Sequence, residues 1–249
     1  FYHMTNKYMY FVANWKMYGN KNSLNTLDKV IKFSKSKEIK KGRLIYCPPY
    51  TLLSSFYKKF RNCLIDIGAQ NCHESSEYGA HTGFVNSKMI KNIGANYVII
   101  GHSENRNKGE TDKLINQKIK SAINARLKVI FCIGETLKEK KSGKTKLVLS
   151  KQIKYGLDKI KIKTNLFIAY EPVWSIGTGK ILKPSELNQA IKFIKSKFKK
   201  KSPQILYGGS VNTSNINNLK NIKGLNGFLI GGASQNAKNF IDIVKKTYN

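Results

Sequence analysis

The sequence predicts an α/β fold, a single-domain (βα)8 barrel with a closed, parallel, eight-stranded sheet spanning residues 1–249. Three observations predict it. Eight short apolar, β-favouring runs occur at a spacing of roughly 30 residues. Nearly all are followed by an amphipathic stretch of helical period. No linker or break in composition divides the chain, although its length would also fit two small domains. Short helices between buried strands imply parallel pairing and right-handed crossovers. A doubly wound open sheet shares this alternation, but it usually carries a Gly-rich dinucleotide turn after its first strand. Here that turn is Asn14-Trp15-Lys16-Met17.

The first strand is the apolar run Tyr8 to Ala13, and Ser23 is expected to cap a helix through Ser34, with Leu24, Leu27, Val30 and Ile31 on one face. Leu44 to Cys47 is the second strand, broken by Pro48-Pro49 before a helix from about Thr51 to Phe60. Strands are then expected at Leu64–Gly68, Tyr97–Ile100, Val129–Ile133, Leu166–Tyr170, Ile205–Tyr207 and Phe228–Ile230. The amphipathic runs between and after them are Asp112–Asn124, Lys146–Ile160, Ser185–Phe198, Ser214–Leu219 and Ala237–Tyr248.

Composition narrows the function classes. Hydrophobic residues make up 41% of the chain, enough for a sizeable core, and no run approaches the roughly 20 apolar residues of a membrane span. Cys47, Cys63, Cys72 and Cys132 form no Cys-x-x-Cys pair, so a reducing compartment without structural zinc is expected. His3, His73, His81 and His102 lack metal-ligand spacing. The formal net charge of +31 comes almost wholly from lysine, since arginine occurs only at Arg43, Arg61, Arg106 and Arg126. Nucleic acid is the obvious suspect, and a barrel serving mainly as an anion- or nucleic-acid-binding protein is the alternative reading. It is disfavoured because the lysines are spread through every helical segment. Short runs such as Lys195 to Lys201 show no repeated aromatic interleaving, and planar Arg readers are scarce. A diffuse positive field would still speed encounters with small phosphorylated anions. The chain opens at Phe1 rather than Met, and with the basic bias this raises the expectation of a plastid or similar organelle stroma, with the cytoplasm as the alternative.

In a barrel the chemistry gathers at the carboxyl ends of the strands. The sixth strand ends in Glu171, followed by Pro172-Val173-Trp174-Ser175-Ile176-Gly177-Thr178-Gly179-Lys180. Pro172 stiffens the chain after the acid, while Gly177 and Gly179 permit backbone angles that other residues resist. The segment therefore reads as a lid between two hinges, over a base. Asn14 and Lys16, Gln70 and Asn71, His102 with Ser103 and Glu104, and Gly134 with Glu135 stand at other strand ends. The late pairs Gly208-Gly209 and Gly231-Gly232 expose backbone amides, and loops after the seventh and eighth strands of a barrel are a recurrent phosphate site. A fixed ammonium (Lys16), neutral donors (Asn14, His102) and a carboxylate (Glu171) are the groups needed to take a proton from carbon beside a carbonyl whose oxygen gathers charge.

These residues resemble the triosephosphate isomerase family. The resemblance rests on Asn14-Trp15-Lys16-Met17, Gly68-Ala69-Gln70-Asn71, Gly79-Ala80 with Thr82-Gly83, Ile100-Gly101-His102-Ser103-Glu104, Cys132-Ile133-Gly134-Glu135, Ala169 to Lys180, Tyr207-Gly208-Gly209-Ser210-Val211 and Gly231-Gly232-Ala233-Ser234, in order along the chain. It implies interconversion of dihydroxyacetone phosphate and D-glyceraldehyde 3-phosphate through an enediolate, without cofactor or metal, in glycolysis and gluconeogenesis. It further implies Glu171 as the base, His102 as a neutral donor, and Lys16 as the positive charge with Asn14 beside it and Glu104 fixing its ammonium. Gly177, Ser210, Gly231 and Gly232 would hold the phosphate, with Ser103 supporting the site. Tyr207 and Ser210 would latch the shut lid, and the Glu135 to Trp174 contact would change as it moves. Members are normally homodimers, which assigns the Gly79–Phe84 loop, with Thr82 at its tip, to the partner's site. The sequence departs from the family at His81, where an aromatic residue is usual, and at Phe84, where glutamate is usual. Asn105 stands where a basic residue is common, which removes an ion pair, and Ser175 stands where alanine is frequent, with little expected of it.

Overall fold

A computed structural model describes residues 7–39, 41–161, 165–198 and 202–249. Phe1, His3 and the end of the lysine run at 199–201 lie outside the described residues. Eight strands, β1 (Met9–Asn14), β2 (Gly42–Cys47), β3 (Ile65–Ala69), β4 (Tyr97–Ile100), β5 (Lys128–Ile133), β6 (Leu166–Tyr170), β7 (Gln204–Tyr207) and β8 (Gly227–Ile230), pair in sequence order. All pairings are parallel, and β8 closes on β1 with Phe11 opposite Phe228 and Ala13 opposite Ile230.

Strand parity divides the core in two. Val12, Ile45, Cys47, Ile99, Ile130, Cys132, Phe167, Ala169, Leu206 and Leu229 fill the barrel, and their alternate neighbours face the helices. The same parity carries the inward face of β1 from Val12 to Asn14, and that of β6 from Phe167 and Ala169 to Glu171. A period of two thus delivers a polar residue to the mouth at the end of these two apolar runs. Phe11, Trp15, Tyr46, Phe56 and Phe240 belong to the outer layer, where Trp15 meets Phe56 edge-on at 4.9 Å between ring centres.

The helices are α1 (Leu27–Ser34), α2 (Tyr50–Phe60), α3 (Ser87–Asn92), α4 (Ser103–Arg106), α5 (Asp112–Asn124), α6 (Leu137–Lys141), α7 (Thr145–Gly156), α8 (Pro184–Ser196), α9 (Ile216–Leu219) and α10 (Ala237–Tyr248). Most boundaries shift by one or two residues from expectation, and three larger differences have local reasons. Ser23 is not the cap of α1: Lys21–Thr26 forms a 3-10 turn capped by Asn20, whose Oδ1 accepts from Asn22 and Ser23 N–H while Ser23 Oγ accepts from Asn20 N–H. Helix α7 ends at Gly156, which packs so closely on Phe131 that a Cβ would lie 2.5 Å from the ring. Helices α3, α4 and α6 are too short to show a helical period, and side-chain caps from Asn86, His102 and Thr136 mark their starts instead.

Candidate active site

A cavity of about 440 Å3 opens at the carboxyl ends of the strands. Asn14, Lys16, His102, Glu171, Gly177, Ser210, Gly231 and Gly232 line it, so the structure brings together the reacting and phosphate-end residues expected from sequence. It also brings in Tyr18, Ile176, Val211, Asn212, Leu229 and Gln235, which sequence reasoning missed. Ile176 and Leu229 are apolar, and nothing in a sequence marks one apolar residue as facing a site rather than a core.

Glu171 is 3% exposed and His102 4%. The Glu171 backbone continues the sheet, donating to Ile133 O at 2.8 Å. Two glycines make room for it. A Cβ at Gly134 would lie 1.9 Å from Glu171 O, and a Cβ at Gly208 would lie 2.6 Å from Glu171 Cγ. His102 caps α4, its Nδ1 accepting from Glu104 N–H at 3.2 Å. An accepting Nδ1 leaves Nε2 to carry the ring proton. That Nε2 lies 3.5 Å from Glu171 Oε1, and Glu171 Oε2 is buried with no hydrogen-bond partner. Burial, reinforced by the adjacent Glu171 carboxylate, pushes the Cys132 thiol far up and keeps it protonated.

Lys16 occupies the left-handed region at φ 54°, a conformation that costs energy for any side chain but glycine. Its peptide is held on both sides: Lys16 N–H donates to Asn14 Oδ1 at 3.0 Å, and Gln70 Nε2 donates to Lys16 O at 2.8 Å. The ammonium pairs with Glu104 Oε1 at 2.7 Å. Partial burial alone would raise the Glu104 carboxyl, but the hydrogen bond and charge of Lys16 outweigh it and hold the group below its ordinary value. Opposite Lys16, a Cβ on Gly232 would meet nothing within 4 Å, and one on Gly231 only Lys16 Cε at 3.4 Å. Bare backbone therefore faces the cavity beside a fixed ammonium, an arrangement suited to an anion.

The segment 172–182 is tied to the barrel rim by hydrogen bonds. Val173–Ser175 forms a 3-10 turn, and Gly177 and Gly179 have φ of 69° and 73°. Ser210 Oγ donates to Ser175 O, and Leu182 N–H donates to Tyr207 Oη at 3.3 Å. Trp174 Nε1 donates to Glu135 Oε1 at 3.1 Å, and Tyr170 Oη donates to the same carboxylate. Burial pushes the Glu135 carboxyl up, only partly countered by those donors. Ser175 is fully buried, and its hydroxyl donates to Lys180 O at 2.8 Å.

Ser103 and Thr82 lie outside the cavity wall. Ser103 begins α4 and is buried, whereas Thr82 is at an exposed loop tip. Near Asn105, Arg106 pairs with Asp112 at 2.6 Å. Among the described residues no group of three or more His, Cys, Asp or Glu could hold a metal ion, and no helix is long and apolar enough to cross a membrane.

A family model described as triosephosphate isomerase matches residues 9–247. The chain is 41% identical over 244 residues to the triosephosphate isomerase of Dictyoglomus thermophilum, covering 94% of this chain and 97% of that one. It is 39% identical over 251 residues to that of Mycoplasmopsis pulmonis, covering 98% of each. The crystal structure of triosephosphate isomerase from Bartonella henselae matches with a TM-score of 0.86 at 36% identity, covering 95% of this chain and 97% of that one. Agreement of sequence and backbone over nearly the whole length leaves one conclusion: the chain belongs to the triosephosphate isomerase family.

Proposed function

We propose that Glu171 is the base in this chain's isomerisation, with His102 and Lys16 stabilising the oxygens on which charge develops. The reaction is the interconversion of dihydroxyacetone phosphate and D-glyceraldehyde 3-phosphate by proton transfer through an enediolate. The observation that carries the assignment is the partnerless, buried Oε2 of Glu171, in a carboxylate 3.5 Å from His102 Nε2. That Oε2, which meets no donor among the described residues, is placed to accept a proton from substrate carbon. His102 Nε2–H then donates to the substrate oxygens as a neutral imidazole, this family's own established arrangement. Lys16 stabilises the developing oxyanion, with Asn14 beside it and Glu104 fixing its ammonium. Gly177, Ser210, Gly231 and Gly232 hold the phosphate.

Closure of residues 172–180, also an established property of the family, excludes water from the enediolate and guards its phosphate against elimination. Tyr207 and Ser210 latch the lid, while Glu135 and Trp174 exchange partners as it moves. Replacing Glu171 by Ala is expected to lower kcat by about 10^2- to 10^4-fold with the fold intact. Retained turnover in a coupled assay would end the assignment.

Two further readings belong to this proposal. The chain forms a homodimer through the Gly79–Phe84 loop, with Thr82 reaching the partner's site and Ser103 supporting it from within. The tilted contact of His73 with His81 at 4.3 Å and the edge-on contact of His73 with Phe84 at 5.1 Å support a loop already shaped for docking. Sedimentation at micromolar concentration that gave only a monomer would remove it. The compartment is a reducing one, organelle stroma or cytoplasm. Four unpaired cysteines, three of them buried, support this, and microscopy of a tagged full-length protein tests it.

A further inference from the structure

We infer that Ser175 is a positioning residue for the isomerase reaction: its hydroxyl closes the lid tip into a preformed ring that presents the Gly177 amide to the phosphate. The inference rests on the phosphate-binding role proposed for Gly177. Ser175 is fully buried, yet Gly177, Thr178, Gly179 and Lys180 beside it are exposed. Each of its polar groups is engaged. Its N–H donates to Pro172 O at 2.8 Å, its carbonyl accepts from Ser210 Oγ on the barrel rim, and its Oγ donates to Lys180 O at 2.8 Å.

The last bond spans the two glycines, whose φ of 69° and 73° suit glycine and whose backbones have the most conformational freedom to lose on being fixed. Around either glycine a Cβ would meet nothing within 4 Å, so side-chain packing does not hold them. What holds the tip is a pair of hydroxyls. Thr178 Oγ1 donates back to Trp174 O and Ser175 O at 3.2 and 3.3 Å, and Ser175 Oγ ties across to Lys180 O. The ring is anchored as well as closed. A Cβ at Gly209 would lie 2.3 Å from Tyr207 Oη and 2.4 Å from Ser175 Oγ, so the two hydroxyls converge on one glycine of the barrel rim. A ring fixed before substrate arrives loses less entropy on gripping phosphate.

The test compares wild type with Ser175→Ala. In the ligand-free protein, backbone order parameters of Gly177 and Gly179 are expected to fall, while those of the strands stay unchanged. With D-glyceraldehyde 3-phosphate, kcat/KM is expected to fall about fivefold, through KM rather than kcat, the effect of one net hydrogen bond. Ser175→Cys, whose thiol is a weak donor, is expected to fall between. Unchanged glycine order parameters would overturn the inference whatever the activity. A fall in melting temperature that tracks the loss, or a Cys variant worse than Ala, would reassign Ser175 to packing and overturn it too. Wild type without isomerase activity would sink the proposed function, while the relaxation measurement would still decide the ring.

Discussion

Gly208→Ala separates the placing of the Glu171 carboxylate, the proposed base, from the making of the fold. Gly208 does not have a positive φ, so alanine meets no backbone penalty there. The added Cβ would stand 2.6 Å from Glu171 Cγ, 2.8 Å from Oε1 and 3.2 Å from Cδ, with no backbone atom among its three nearest neighbours. The structure can relieve the clash only by moving the Glu171 side chain, by roughly 0.8 Å to restore ordinary contact. A misplacement of about 1 Å at a reacting group costs about 100-fold in rate. A coupled assay with D-glyceraldehyde 3-phosphate is therefore expected to show kcat down by about 100-fold, beside a thermal melt close to wild type. Gly134→Ala is the control. Its Cβ would meet Glu171 O at 1.9 Å, Glu171 C at 2.6 Å and Pro172 N at 3.2 Å, all backbone, so it is expected to lose about 1 to 3 kcal/mol of stability. Full turnover in Gly208→Ala, or a melt that collapses there while Gly134→Ala is tolerated, would refute the reasoning.

The remaining predictions concern pH and packing. Glu104 sits below its ordinary value because of Lys16, so the folded state binds its proton more weakly than the unfolded one. Its contribution to stability is present above the unfolded value and is lost as pH falls through the lowered one; urea titrations at neutral and acidic pH should converge for wild type and Glu104→Gln. Glu135 behaves oppositely. Burial raises it, the folded state holds the proton more tightly, and stability falls as pH rises from the unfolded value through the raised one. Glu135→Gln should flatten that slope in the same titrations. Phe56→Ala removes a fully buried ring that packs edge-on against Trp15 and Phe60, and is expected to cost about 3 to 5 kcal/mol, read by urea denaturation.

The alternation of apolar runs with helical period made the barrel legible, because buried parallel strands must be covered on both faces and short crossovers leave few ways to do it. His102 and Glu171 were legible for a related reason. Each is a polar residue just past an apolar strand, at the end of the barrel where chemistry gathers. Helices α3, α4 and α6 were not legible, since four to six residues carry no period and their capping hydrogen bonds exist only in three dimensions. The partner of the Ser175 hydroxyl was not legible, because Lys180 O is brought to it only by the two left-handed glycines between them.

From its residues alone the chain determined eight strands, their parallel order, and which polar groups stand at their carboxyl ends, because periodicity and strand length are local properties. Tertiary structure alone decided the distances between Lys16, His102 and Glu171, the choice of Ile176 and Leu229 as walls, and the space at Gly208 that the carboxylate occupies. Those follow from closing β8 onto β1, which brings together side chains as far apart in the chain as Asn14 and Gly232 and cannot be written in any local pattern.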